Sequence, residues 1–197
     1  MQGFGCCEQT HHLSLQVAVM YCAFARFEEV KELKVPQLDL DGEDVVITFS
    51  KGKTYQFGEA RQSVMPGIST EAEAVTPVGV LKGYVDRLKL IEGNKSLWLF
   101  PGLRMVKGEL VSLNKPASYD AVAKDFKKVV KEAGLVASNG GEFGLHSMRR
   151  GAVTEAVNAG ADEHSVMKQM RVVSASTVRR YATLKNDVLR KAARAAL

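Results

Sequence analysis

The sequence predicts a mainly α fold with one small antiparallel sheet near its start. Apolar residues recur at helical spacing in several long stretches between residues 11 and 195. One compact β-branched run stands at residues 44–49, DVVITF, and a Ser-Lys-Gly-Lys turn follows it at once.

Residues 11–34 read as one helix, because Leu13, Leu15, Val17, Ala18, Met20, Tyr21 and Phe24 form a broad apolar stripe that continues through Val30 and Leu33 to Pro36. Residues 43–67 read as β-structure. The chain turns at residues 50–53, and Tyr55 to Phe57 and Gln62 to Met65 fit return strands. A second helical block covers residues 71–91, with Val78, Leu81, Val85 and Leu88 on one side, and residues 97–101, LWLFP, form a short apolar run closed by proline. Residues 118–134 give an amphipathic helix through Val122, Phe126 and Val130, and Gly134 ends it. Residues 146–159 and 162–170 are helical on either side of Gly160, and a last helix covers about residues 174–195. Residues 1–12 are expected to be a disordered tail.

A chain of 197 residues suits one domain and buries a sizeable core without disulfides. Its cysteines, Cys6, Cys7 and Cys22, are odd in number and do not form a disulfide framework, so a reducing compartment, cytoplasm or nucleus, is expected. Charges interrupt every apolar run before it could span a membrane, and the start lacks the pattern of a secretory signal. Net charge is +5, and its placement says more than its size: residues 141–197 hold ten Lys and Arg against five Asp and Glu. That excess suits a polyanionic partner. Cys6, Cys7, His11 and His12 lack a second ligand arm, so no closed zinc site is expected.

The sharpest chemical segment is residues 144–151, GLHSMRRG. His146 and Arg149 stand three apart, hence on one helix face, and an imidazole beside a planar guanidinium fork suits a phosphate. Alone, the pair reads more readily as a half-buried His beside a surface Arg. Tyr181 follows Arg179 and Arg180, where nearby cations would favour a phenolate nucleophile, although a tyrosine at helical spacing with Leu184 and Val188 also reads as core. Arg26 and Glu29 are i, i+3 partners, which an exposed ion pair explains. Lys51 and Lys53 occupy a hairpin turn, where a solvated lysine is ordinary.

Taken together and in order, these pieces resemble the catalytic domain of the tyrosine recombinases, the lambda-integrase-like family. Residues 25–33, ARFEEVKEL, resemble its R-x-x-E-L segment, and Lys51 in SKGK resembles its hairpin lysine. The LFP at 99–101, HSMRRG at 146–151 and TVRRY at 177–181 resemble its later motifs. The resemblance covers about residues 13–190 and implies a catalytic domain at 13–197 without the N-terminal domain that clamps the far face of DNA.

It also implies a chemistry. Tyr181 would attack a phosphate of double-stranded DNA to give a 3′-phosphotyrosine, Arg26 and Arg149 would clamp the phosphate oxygens, Lys51 would protonate the 5′-oxygen, and His146 would assist. Lys53 is the alternative to Lys51, because a one-residue slip in a hairpin exchanges the faces. Neither metal nor nucleotide cofactor is required. The C-terminal helix would join subunits in a homotetramer on DNA. One position departs from the pattern: nine residues before Tyr181, where the family places His or Trp, stands Val172, which has no donor. Arg171 beside it is the candidate replacement. Three other readings fit the same residues: a catalytically weak DNA-binding relative from a mobile element, a type IB topoisomerase-like enzyme, and a basic helical interaction module.

Overall fold

A computed structural model describes residues 6–50, 60–67, 76–92, 98–107, 109–137 and 140–182. Its elements in chain order are α1 (Cys6–Cys22), α2 (Phe27–Lys31), a 3-10 turn (Val35–Gln37), β1 (Leu38–Asp39), β2 (Val45–Phe49), β3 (Arg61–Met65) and α3 (Pro77–Glu92). There follow β4 (Pro101–Val106), β5 (Glu109–Pro116), α4 (Tyr119–Glu132), α5 (His146–Asn158), α6 (Glu163–Met170) and α7 (Ala175–Tyr181). The architecture is the mainly α fold with a small antiparallel sheet, in the order β1-β2-β3. A second, two-stranded sheet, β4-β5, lies where the residue pattern predicts no strand.

α1 is the hub, packed by α2, α3, α4, α5 and β3, which explains an apolar stripe too wide for a surface helix. It begins at Cys6, inside the segment expected as a disordered tail, because His12 is buried against Phe100 and Tyr84 with ring centroids 5.5 and 6.0 Å away. Two cores result. The larger gathers Val19, Met20, Leu33, Ile47, Leu81 and Phe100 around α1. The smaller holds Val153, Val166, Met170, Val172 and Val178 between α5, α6 and α7.

The single helix expected over 11–34 is broken. The Ala25 N–H bonds back to the Met20 carbonyl (2.9 Å) and the Phe24 N–H to the Tyr21 carbonyl (3.1 Å), the paired bonds that close a helix on a left-handed residue. That residue is Phe24, φ 49°, a conformation that costs a bulky side chain about 1–3 kcal/mol. α2 restarts one turn later, where the Arg26 N–H donates to Glu29 Oε2 at 2.8 Å. α6 ends in the same way on Arg171, φ 58°, with the Arg171 and Val172 N–H groups bonded to the Lys168 and Met167 carbonyls.

Burial lowers the His12 pKa to about 4, and among the described residues its Nε2 has no hydrogen-bond partner. A His that titrates lower in the folded chain than in the unfolded one gives full stability above the unfolded value of about 6.5. That stability drains as pH falls from there toward the folded value. Urea midpoints are expected to drop between pH 7 and pH 4.5 by the equivalent of roughly 2–3 kcal/mol. His12→Leu should flatten much of that slope while leaving pH 7 stability unchanged or higher. An equal slope in the variant would place the titration elsewhere.

Candidate active site

The break between α1 and α2 opens the centre of the site. Residues 23–26 present carbonyls and Arg26 at the junction of the two cores, and α5 and α6 reach that junction from the other end of the chain. His146 opens α5, set by a Gly144 N–H to Ser147 Oγ bond of 3.1 Å, and Arg149 lies one turn on, on the same face. Arg149 is fully buried rather than on the surface. Its Nη1 donates to the Phe24 carbonyl at 2.7 Å and reaches Glu29 Oε2 at 3.4 Å, and its Nη2 donates to the Met170 carbonyl at 2.9 Å. Among the described residues its buried Nε has no partner, a donor left over at the bottom of the site.

Tyr181 is the last residue of α7, and Thr154 of α5 donates to its carbonyl at 3.1 Å. Its ring stands 5.5 Å from the Arg149 guanidinium and 5.3 Å from the His146 ring. Arg26 is part-exposed, its Nη1 on Glu29 Oε1 at 3.2 Å. Arg26, His146, Arg149 and Tyr181 are thus brought together from three separate segments. Lys51 and Lys53, and the strand expected at 55–57, lie outside the described residues, as do residues 71–75 and the tail beyond 182.

The electrostatics favour an anion. Burial lowers the His146 pKa, and the charges of Arg149, Arg26 and Arg150 push it the same way, so the ring is neutral at neutral pH and free to take a proton. Burial and Arg26 also press the Arg149 pKa downward, with Glu29 pulling it back. Activity that needs neutral His146 should therefore persist below pH 6.5, where a free imidazole would be half protonated. A pH–rate profile whose acid limb lies at or above pH 6.5 would contradict this.

Two residues carry more than the sequence suggested. Glu29, read there as half of an exposed pair, is buried with its side chain 3% exposed, and it serves three arginines at once: Arg26, Arg149 and Arg171. Burial works against its charge, yet Arg171, the Arg26 N–H and Arg149 outweigh it and hold the carboxyl below its usual range. The motif held the signal, because a carboxylate one turn from an anion-binding Arg is placed to orient it.

Arg171, expected as a substitute phosphate donor, points inward instead and is 1% exposed. Its left-handed backbone turns the side chain under α1, where it bonds the Ala23 carbonyl (2.8 Å), Ser63 Oγ, the Gln169 carbonyl (2.7 Å) and Glu29 Oε2 (2.9 Å) and lies 4.0 Å over the Phe49 ring. It has no path to a bound strand. Val172 is a buried member of the smaller core, which also packs Tyr181, so the wall beside the nucleophile candidate is apolar there.

Residues 6–187 match the model of the phage integrase family. An integrase/recombinase XerD homolog of Selenomonas ruminantium is 29% identical over 167 residues, 83% of this chain and 46% of the relative, so the chain spans about half of that protein's length. Among solved structures, XerA recombinase aligns with a TM-score of 0.63 at 19% identity, over 97% of this chain and 63% of its own. XerH site-specific recombinase bound to palindromic difH substrate gives 0.65 at 18% identity, over 97% and 51%. The Tn1549 transposon integrase in complex with a circular intermediate DNA gives 0.56 at 12% identity, over 98% and 65%. At these identities the structural likenesses establish a shared fold. Among the described residues no helix is long and apolar enough to cross a membrane.

Proposed function

The chain belongs to the phage integrase family, and on that premise we propose that it cuts and rejoins double-stranded DNA at specific sites through a covalent 3′-phosphotyrosine. One observation carries the reading: Arg26, the α5 pair His146 and Arg149, and Tyr181, from three distant segments, surround one basic junction with a tyrosine ring against an imidazole and a guanidinium. The DNA-bound states of the XerH and Tn1549 relatives support the partner.

In this mechanism the Tyr181 phenol oxygen attacks the scissile phosphorus. The O–P bond to tyrosine forms, the bond to the 5′-oxygen breaks, the phenol proton passes to neutral His146, and Lys51 supplies a proton to the departing 5′-oxygen. Arg26 and Arg149 stabilise charge on the non-bridging oxygens. The phosphotyrosine conserves the bond, so a 5′-hydroxyl reverses the step without metal or nucleotide. Lys53 serves if Lys51 faces away. Assembly as a homotetramer through the C-terminal helix completes the proposal.

The test is a DNA duplex with a nick beside the cleavage point, which lets the released fragment diffuse away and traps the adduct. A protein–DNA band on a denaturing gel is the expected result. DNA binding without any adduct would favour the second reading, a DNA-binding relative with weak catalysis, which the apolar Val172 wall supports. Relaxation of supercoiled plasmid with no recombinant product would point to topoisomerase-like use of the same site.

Binding is expected to lean on the basic excess of residues 141–197. Affinity should fall linearly on a log–log plot against salt, by on the order of 10²-fold between 50 and 200 mM. A flat dependence in a filter-binding or anisotropy titration would remove DNA phosphate as the main contact.

A further inference from the structure

We propose that Arg171 is a positioning residue of this site, holding the Glu29 carboxylate so that Arg26 and Arg149 stay placed for phosphate; the inference rests on the strand-transfer reading above. The geometry is specific. Glu29 Oε2 has Arg171 Nη2 at 2.9 Å and Arg149 Nη1 at 3.4 Å, so Arg171 is the nearer guanidinium. The other carboxylate oxygen and the Arg26 N–H bond tie Glu29 to Arg26. Arg171 is fixed from every other side: by the Ala23 and Gln169 carbonyls, by Ser63 and by the Phe49 ring. It is buried, so it serves the site through Glu29 and not by touching DNA.

The physical consequence concerns competition. One carboxylate shared among three guanidiniums is held mainly by the one that never meets substrate. Without Arg171, Glu29 has, among the described residues, Arg26 and Arg149 left, and it draws both toward itself in competition with the phosphate oxygens. Stabilisation of the transition state should then fall more than binding of the duplex, because duplex affinity comes from many outer phosphate contacts. The backbone at Arg171 makes a clean probe available. Its φ of 58° suits glycine better than arginine, so Arg171→Gly removes the guanidinium while easing the turn.

The experiment compares wild type, Arg171→Gly, Arg171→Lys, Glu29→Gln and the double variant Arg171→Gly/Glu29→Gln. Adduct formation on the nicked duplex is measured at saturating DNA, affinity by anisotropy, and the Glu29 carboxyl titration by carbon-detected NMR. Expected are a cleavage rate down about tenfold to a hundredfold in Arg171→Gly with affinity within threefold. Lysine should restore part of the rate, and the double variant should be no slower than the slower of Arg171→Gly and Glu29→Gln alone. The Glu29 carboxyl should titrate higher once Arg171 is gone.

A folded Arg171→Gly protein that cleaves at the wild-type rate would overturn the proposal, as would losses in rate and affinity of equal size. If wild type itself forms no adduct, the strand-transfer reading fails on that arm alone. The NMR titration then decides the proposal's structural core, and an unmoved Glu29 would overturn it.

Discussion

A Tyr181→Phe variant is expected to form no covalent adduct with nicked DNA while folding and binding DNA as the parent does. The loss should be complete within detection, because phenylalanine has no oxygen to attack phosphorus. The fold should tolerate the change. Phenylalanine keeps the ring that lies 5.5 Å from the Arg149 guanidinium and 5.3 Å from His146. The smaller core that packs Tyr181 is apolar, and the Thr154 bond reaches the Tyr181 carbonyl rather than its hydroxyl. Unfolding free energy should change by no more than about 0.5 kcal/mol. An adduct that persists in the variant would place the nucleophile elsewhere. Loss of adduct together with loss of fold would make Tyr181 a packing residue.

Glu29→Ala is expected to be the most destabilising single change near the site. It strips the shared anion from two buried guanidiniums, those of Arg149 and Arg171, and removes the acceptor of the Arg26 N–H. Breaking a buried ion pair from one side costs about 3–5 kcal/mol. For a chain of this length that corresponds to a thermal midpoint lower by roughly 10 °C. Glu29→Gln keeps an acceptor oxygen and should cost less. Calorimetry or a thermal melt at pH 7 checks both, and a loss under about 1 kcal/mol for Glu29→Ala would mean the arginines find other partners.

Much of the scaffold was readable because its signals are local. α4 shows its Ser118 cap and apolar stripe openly, and α5 and α6 lie within a residue or two of the expected spans. The break after Cys22 was not readable. Its carrier, Phe24, has no local reason to be left-handed; its carbonyl receives Arg149 and Arg171 from 125 and 147 residues away. The β4-β5 hairpin was missed for a different reason: Met105, Val106 and Val111 are exposed, so no inward-outward alternation marks the strands. At the site, motif order marked Arg26, His146, Arg149 and Tyr181. Glu29 and Arg171 escaped because their weight lies in burial, and a charged residue deep inside is the rarer case.

The turn at residues 23–26 also sets a schedule. Its Ala23 and Phe24 carbonyls are made well before the guanidiniums that bind them, at 149 and 171, and the bond to Ala23 spans 148 residues. Contacts of such separation form late, after the chain between them has been gathered in. A growing polypeptide halted before α6 would hold Arg26 and His146 with no Arg171 to complete the cluster and no Tyr181 at all. On the strand-transfer reading, this order works as a safety catch: the cluster is complete only once Arg171 and Tyr181 have joined the turn at residues 23–26.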